Sequence, residues 1–361
     1  MKFDTASRKD ISAVLSRRLR VFGFISALLI VILHSTPRPD IGTLQWWIVG
    51  VLGRDGLCRI AVPYFFFTSG FFLAGHVCED GWWHSEVGKR VKTLVVPYFV
   101  WIGIGLIVRS AIWYWIQKTG KLCGFPAPVY GPVHVWVMDV LGLDPFANKV
   151  GILWFMRDLF ALTLISPFLI FMLKRFSWLF VVIIFALYGG MAILQTGMSK
   201  RWYNFFEYFM SLRGLFYFTI GLTTRYAGVL TSDKGVRIVC LGAGMCVIKL
   251  ILLRYSFFRV AAVVDVAMVP ILMAGVGCYV IRGLKLPPWI MSNTFPIYLL
   301  HQNLLLLSTA AISAIGLKGC ANFSILIWLI RILFAVLMSI IIACCIRHFF
   351  PRASNLLFGG R

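Results

Sequence analysis

The sequence predicts an all-α, polytopic transmembrane helical bundle with about ten spans and both termini in the cytoplasm. Of its 361 residues, 60% are hydrophobic and only 13% are charged, and the mean hydropathy is +0.88. A soluble domain of this length carries about 25% charged residues. The apolar residues also fall in runs of about 20, the length that a helix needs to cross the hydrocarbon core of a bilayer.

Ten apolar segments follow one another along the chain. A basic lead-in over residues 1–20, expected to be cytoplasmic, precedes the first, and no cleavable signal sequence is recognisable. We predict spans over 21–37, 60–77, 93–116, 151–173, 176–195, 208–226, 236–253, 259–281, 288–307 and 322–346. The membrane domain is therefore expected over 21–347, with a cytoplasmic tail over 348–361.

Three connecting segments have a distinctive composition. Residues 44–51 contain the paired tryptophans Trp46 and Trp47, which are typical of a helix lying at the membrane interface. A short basic loop is predicted at 89–92. Residues 117–150, rich in Gly and Pro, form the longest polar stretch and are expected to be an external loop with a partial helix.

The distribution of basic residues predicts the orientation. Lys and Arg are enriched in cytoplasmic loops, and the segments assigned to the inner side hold 19 of them against 11 on the outer side. The net charge of +22 is dispersed among apolar spans, which favours topology signals and contacts with anionic lipids over nucleic-acid binding. The nine cysteines include no Cys-x-x-Cys pair, which argues against a zinc or redox site.

Ionisable side chains inside the predicted spans concentrate at one depth. At 1.5 Å per residue, His34 and His301 each lie about 20 Å from the inner end of their span, and Arg157 and Asp158 lie about 10 Å below the outer surface. Similar depths are expected for Arg109, Arg213, Lys249, Asp265 and Arg331. Because such groups normally face a bundle interior or a water-filled cavity, we expect a functional cavity in the outer half.

His34 is the single imidazole of the first span. A histidine inside a membrane helix is costly to keep and titrates near neutrality, so it is a candidate base or nucleophile. The alternative is a buried histidine that is hydrogen-bonded to a neighbouring helix. The same two interpretations are open for His301.

Five short blocks occur in order across about 270 residues. They are Leu33-His34-Ser35, Arg59-Ile-Ala-Val-Pro63-Tyr-Phe-Phe-Phe-Thr-Ser69-Gly70-Phe, Lys89-Arg90-Val-Lys92-Thr-Leu-Val-Val-Pro97-Tyr98, Leu153-Trp154-Phe-Met-Arg157-Asp158-Leu and Ser292-Asn-Thr-Phe-Pro-Ile-Tyr298-Leu-Leu-His301. In these blocks the chain resembles the acyltransferase-3 family of bacterial inner-membrane proteins, which O-acylate cell-surface and exported polysaccharides. One position departs from the family pattern: Gly23 stands where the family usually has an arginine, and Arg20 is the nearest basic residue.

The resemblance implies a multi-pass O-acyltransferase of the bacterial inner membrane, in the stand-alone form without a fused hydrolase-like domain. The donor would be cytoplasmic acyl-CoA, most often acetyl-CoA, used as a substrate, with no bound cofactor. The acceptor would be a hydroxyl of a glycan or a lipid-linked sugar. Anionic lipids are expected as further partners, and nucleic acid is not.

Acyl transfer to a hydroxyl needs a base and a group that stabilises the oxyanion. His34 suits the first role, and it could instead carry the acyl group itself, because imidazole is a competent nucleophile. Arg59 and Arg157 are candidates for contacts with the oxyanion or the substrate, since a guanidinium keeps its positive charge.

The remaining catalytic candidates are Asp158, Tyr298 and His301. Asp158 could orient a base. Adjacent helix positions point about 100° apart, so Arg157 and Asp158 are expected to face different partners. Tyr298 and His301 could complete the wall of the site.

Four basic residues are candidates for binding the donor: Arg20, Lys89, Arg90 and Lys92. Arg20 could replace the family arginine from one turn lower, and the other three are expected at the inner mouth, where they could contact the phosphates of CoA. No P-loop or Rossmann signature is present to bind the nucleotide. The alternative is that residues 89–92 only mark a cytoplasmic segment.

A different class of function is also open, namely a transporter or flippase for a lipid-linked glycan or an organic anion. A buried cationic layer and proline-interrupted spans suit a carrier too. The absence of visible repeats between the two halves argues against it. A purely structural scaffold would not keep charges in the membrane.

Overall fold

The computed structural model describes residues 12–36, 40–77, 79–119, 151–198, 211–227, 235–277, 283–314 and 325–360. Within these ranges the chain is built from helices and contains no strand. The all-α prediction is therefore confirmed.

Fifteen α-helices make up the described part of the chain. In the first half they are α1 (Ala13–Ser35), α2 (Leu44–Leu52), α3 (Ala61–Ala74), α4 (Trp82–Arg90), α5 (Val96–Thr119), α6 (Trp154–Leu164), α7 (Ser166–Phe176) and α8 (Trp178–Leu194). In the second half they are α9 (Leu212–Ala227), α10 (Gly235–Arg254), α11 (Phe258–Gly275), α12 (Pro288–Met291), α13 (Thr294–Ala314), α14 (Ile325–Phe349) and α15 (Pro351–Phe358). Short 3₁₀ turns occupy Leu57–Ile60, Gly151–Leu153 and Gln195–Gly197, and a π-helical turn over Val91–Val95 joins α4 to α5.

The described helices make the chain a multi-pass membrane protein. Seven helical segments are long and apolar enough to cross a bilayer, or eight if the bent pair α6–α7 counts as one span. This is fewer than the ten predicted. The predicted spans 208–226 and 236–253 do contain helices, but α9 has 16 described residues, or about 24 Å of rise against a core of about 30 Å, and α10 carries three basic residues.

Two predicted elements gain detail in the structure. The Trp46–Trp47 segment forms α2, which precedes α3 in one apolar run of 31 residues. It packs on α10, where a Cβ on Gly50 would lie 2.7 Å from Leu250 Cδ2. The predicted span 151–173 is bent by 59° between α6 and α7, because Pro167 opens α7 and disfavours a continuous helix through the preceding residue.

Helix α1 lies at the centre of the bundle, where it contacts α3, α13 and α14. Its side chains Val21, Ala27 and Val31 are fully buried. Tyr64 on α3 donates a hydrogen bond to the carbonyl of Leu19 at 2.6 Å, so the lower part of α1 is tied to α3. His34 stands at the far end of α1, in its last turn.

The closest helix pair is α3 and α9, which meet through two glycines. A Cβ on Gly70 would contact the carbonyl oxygen of Phe218, and a Cβ on Gly221 would contact that of Phe67. Small residues let helix backbones approach closely in membranes, where van der Waals packing drives association. The glycine of the Ser69-Gly70 motif therefore serves helix packing.

The last helix, α15, docks on the membrane domain. The indole of Trp101 donates to the carbonyl of Leu357 at 2.8 Å, and Phe358 is fully buried. Gly359 follows with φ +63°, where a Cβ would lie 2.8 Å from the backbone of Thr93 in the π-helical turn. Much of the segment predicted as a tail is thus packed against α5 and the turn that precedes it.

Candidate active site

The structure brings together two of the predicted site residues, His34 and His301. Their ring centroids lie 5.2 Å apart with the planes tilted by 42°. His34 stands in the last turn of α1 and is exposed, whereas His301 on α13 is fully buried. One imidazole of the pair therefore has exposed surface, and the other lies inside the bundle beside it.

The hydrogen bonds of His301 fix its tautomer. Its Nδ1 lies 3.1 Å from the carbonyl oxygen of Ile297 and 2.7 Å from that of Tyr298. Because carbonyl oxygens only accept, Nδ1 carries the proton and Nε2 keeps its lone pair. Nε2 is buried and has no hydrogen-bond partner among the described residues, which leaves a proton-accepting nitrogen on the ring beside His34.

The end of α1 is held next to this pair. Ser35 accepts a hydrogen bond from the indole of Trp328 on α14 at 3.1 Å and donates one to the carbonyl of Ile32. Thr36 donates to the same carbonyl at 2.6 Å. The backbone on either side of the last helical turn is thus fixed, and so is the position from which His34 projects.

Tyr298 also lies in this region, with its hydroxyl committed to the backbone. It donates a hydrogen bond to the carbonyl oxygen of Ile152, in the 3₁₀ turn that leads into α6. Its ring centroid lies 5.8 Å from that of Phe155 and 6.3 Å from that of His301. Tyr298 therefore links the histidine pair to α6.

Arg157 and Asp158 on α6 pair with each other, a contact that their adjacent positions did not suggest. The guanidinium of Arg157 donates to Asp158 Oδ1 from Nε at 2.9 Å and from Nη2 at 2.7 Å. The long Arg side chain folds back over its neighbour, which overcomes the angular separation of the two Cβ atoms. The pair acts electrostatically on Tyr98 in the first turns of α5.

Arg59 belongs to a separate ion cluster. It binds Asp265 through Nε at 3.2 Å and through Nη2, and Lys249 Nζ donates to the same carboxylate at 2.6 Å. Lys249 also donates to the backbone oxygen of Asp55. This cluster ties the turn before α3 to α10 and α11, and Arg59 and Lys249 share the single negative charge of Asp265.

The predicted layer of polar groups is thus divided into separate sets of contacts. Arg331 is bound by hydroxyls of α13, with Nε 3.3 Å from Ser308 Oγ and Nη2 3.0 Å from Thr309 Oγ1. Arg109 lies within α5, and its side chain is outside the described residues. Most of the predicted external loop, 120–150, also lies outside them.

The basic segment at 89–92 is helical and not a loop. Lys89 and Arg90 end α4, and Lys92 lies in the π-helical turn. Lys89 and Lys92 are exposed, whereas Arg90 donates to the buried Glu86 at 2.7 Å. Two cations are therefore presented to solvent and a third is held by a carboxylate one turn earlier.

This basic segment lies against α6, since both α4 and the π-helical turn contact that helix. The indole of Trp83 donates to the carbonyl of Leu164 at the end of α6. The π-helical turn is a feature that often marks functional sites. Arg20 is exposed on α1, about 21 Å along the helix from His34.

Two residues of the site escaped prediction. Glu86 could have been found, because an acidic residue three and four positions before Lys89 and Arg90 is placed to pair with them on a helix. Gln302 could not, because its partner, the backbone N–H of Ile152, is 150 positions away in the chain.

Comparison with known proteins agrees with these observations. A model of a family described as an acyltransferase domain, acyltransferase-3, matches residues 19–348, which confirms the resemblance. A succinoglycan biosynthesis protein, ExoH, of Rhizobium meliloti (strain 1021) is 25% identical over 173 residues, which is 45% of each chain. The chain thus matches less than half the length of that relative. No solved structure matches it.

Proposed function

Because the chain belongs to the acyltransferase-3 family, we propose that it transfers an acyl group, most simply acetyl, from cytoplasmic acyl-CoA to a hydroxyl of a cell-surface or exported glycan. The setting would be the bacterial inner membrane. One observation carries the proposal above all others: the exposed imidazole of His34 lies 5.2 Å from the buried ring of His301, at the end of the central helix.

The reaction can proceed at His34 by either of two routes. In the first, a ring nitrogen takes the proton of the acceptor hydroxyl while the hydroxyl oxygen attacks the thioester carbonyl carbon. The carbon–sulfur bond then breaks, and the imidazolium returns the proton to the departing CoA thiolate. In the second, the unprotonated ring nitrogen attacks the thioester carbonyl carbon, the carbon–sulfur bond breaks, and the proton on the other ring nitrogen passes to the CoA thiolate. The acceptor hydroxyl then attacks the acyl-imidazole, and its proton returns to the ring.

The neighbouring groups support both routes. His301 Nε2 supplies a lone pair that could accept a hydrogen bond from His34 and so orient its ring. Arg157 keeps part of its side chain exposed (21%) beside Asp158, and it can contact the carbonyl end of a donor. Arg59, which is engaged in an ion pair with Asp265, is better suited to holding helices in place than to stabilising an oxyanion.

The donor would enter past the basic segment of α4 and the π-helical turn. Lys89 and Lys92 are exposed there, and ammonium groups bind phosphates as point charges. Because this segment contacts α6 and α6 is linked to α13 through Tyr298, a continuous series of contacts runs from the proposed phosphate site to the histidine pair. This series connects the two parts of the proposed site mechanically.

A polysaccharide acceptor is supported by the name of the relative, a succinoglycan biosynthesis protein. The test uses the full-length protein in lipid vesicles, with acetyl-CoA and glycan purified from a strain that lacks the gene. We expect release of free CoA thiol only when both are present, and a mass increase of one acetyl group on the glycan. Movement of glycan across the bilayer without thiol release would refute the proposal and favour a carrier.

A further inference from the structure

Both backbone polar groups of Ile152 are held by side chains of α13. The hydroxyl of Tyr298 donates to the carbonyl oxygen of Ile152, and the Ile152 N–H donates to Gln302 Oε1 at 3.3 Å. Tyr298 and Gln302 are four residues apart and therefore lie on the same face of the helix. The turn that leads into α6 is thus attached to α13 at two points.

The attachment lies within one helical turn of His301. His301 directly precedes Gln302 in the chain, and its ring is hydrogen-bonded to the carbonyls of Ile297 and Tyr298. A shift of α13 at this point would move the histidine and the bound turn together. The two hydrogen bonds to Ile152 therefore set the distance between His301 and α6.

Gly151 makes this attachment possible. Its φ is +57°, a conformation that L-residues rarely adopt, and a Cβ there would lie 2.7 Å from Gln302 Oε1. Position 151 therefore favours glycine for two reasons: its backbone is in the left-handed conformation, and Gln302 approaches it closely.

The consequence reaches the charged pair of α6. Arg157 and Asp158 follow Ile152 by five and six residues, through a 3₁₀ turn that runs directly into the helix. A helix moves as a unit over so short a length, so the position of Ile152 determines where this pair stands relative to His34.

We propose that Tyr298 and Gln302 are positioning residues: they bind the Ile152 backbone and so keep α6 at a fixed position relative to the histidine pair during acyl transfer. This inference rests on the proposed function. It assigns to Tyr298 a role other than contact with the substrate, and it gives Gln302 a role that its sequence context did not indicate.

The test compares Tyr298→Phe with a matched variant, Tyr64→Phe. Each substitution removes one phenolic hydroxyl that donates to a distant backbone carbonyl, Ile152 for Tyr298 and Leu19 for Tyr64. Only the first bond lies beside the histidines. We expect the melting temperature to fall by a similar amount in both variants. Only Tyr298→Phe should also lower kcat per folded molecule, by about tenfold or more, because small misplacements of catalytic groups are costly.

A double-mutant cycle adds a readout that a purely structural role would not give. Tyr298→Phe and Gln302→Leu act on one backbone segment, so their effects on kcat should be strongly non-additive, while the KM for acetyl-CoA changes little. Hydrogen–deuterium exchange of a peptide that contains Ile152 should speed up in both variants and not in Tyr64→Phe. If Tyr298→Phe does not accumulate as folded protein, Gln302→Leu carries the same comparison.

The inference is overturned if Tyr298→Phe keeps the kcat of the unmodified protein per folded molecule, or if the two substitutions reduce kcat independently. A lack of any acyl transfer by the unmodified protein would overturn the proposed function instead. The two failures are therefore distinguishable in one set of assays.

Discussion

The imidazole rings of His34 and His301 lie 5.2 Å apart, although the residues stand near opposite ends of the chain. The first ring is exposed and the second is fully buried. Because of this difference we expect different roles for the two residues: His34 can contact a substrate directly, whereas His301 can act only through His34.

We expect His34→Gln to abolish acyl transfer while the protein still accumulates as a folded species. Glutamine keeps a similar size and some hydrogen bonding, but it neither takes up a proton near neutral pH nor forms an acyl intermediate. The measurement is acetyl-CoA-dependent thiol release by the purified protein in lipid.

The control for this variant is His76→Gln, since His76 is an exposed histidine that pairs only with Glu79 in the described residues. It should keep full activity. A His34→Gln protein that is as active as the unmodified protein would exclude both the base route and the relay route.

Lys89→Ala combined with Lys92→Ala should raise the KM for acetyl-CoA several-fold and leave the KM for the acceptor glycan nearly unchanged. These two cations are exposed, so their contribution to phosphate binding should weaken with added salt. Arg90 is left intact because its removal would strand the buried carboxylate of Glu86.

Lys174→Ala with Arg175→Ala serves as the matched control, because these residues form an exposed basic pair at the end of α7. This variant should leave both KM values unaltered. An equal rise in the KM for acetyl-CoA in the two double variants would mean that residues 89–92 contribute only general positive charge.

Asp265→Asn should lower the free energy of unfolding by about 3–5 kcal/mol, because it leaves the buried Lys249 and the partly exposed Arg59 side by side without their shared carboxylate. Thermal unfolding in detergent measures the effect. Adding Lys249→Met should recover part of the lost stability, since it removes one of the two cations that then repel each other. Arg237→Gln, an exposed arginine on α10, should change stability little; a loss as large as that of Asp265→Asn would argue against the cluster.

Gly221→Ala should sharply reduce the yield of folded protein, because the added methyl group would collide with the carbonyl of Phe67 where α3 meets α9. Gly103→Ala on α5 is the matched control, since no heavy atom lies within 4 Å of a Cβ there. Alanine favours the helix over glycine by about 1 kcal/mol, so the control should be neutral or stabilising. Equal yields of the two variants would show that α3 and α9 do not pack as described.

Parts of the site could be predicted from single residues. His34 and His301 were both expected to face the bundle interior or a water-filled cavity, because an ionisable side chain in an apolar span is costly to expose to lipid. The structure buries His301 and leaves His34 exposed beside it. The pairing of Arg157 with Asp158 could not be predicted from helix geometry, because a flexible arginine can reach a neighbour whose Cβ points elsewhere. The role of Tyr298 was equally hidden, since its partner is a backbone carbonyl in a distant segment.

That the chain forms helices which cross a membrane follows from its sequence, because backbone groups in hydrocarbon must be satisfied within each segment, and runs of apolar residues reveal where this happens. The sequence also shows which side chains can act as acids, bases or nucleophiles, since an imidazole is the same group wherever it lies in the fold. Which groups come into contact is a property of the folded chain. Arg59 and Asp265 are 206 residues apart in the chain and Tyr298 and Ile152 are 146 apart, and contacts over such separations depend on how helices pack, which no local pattern encodes.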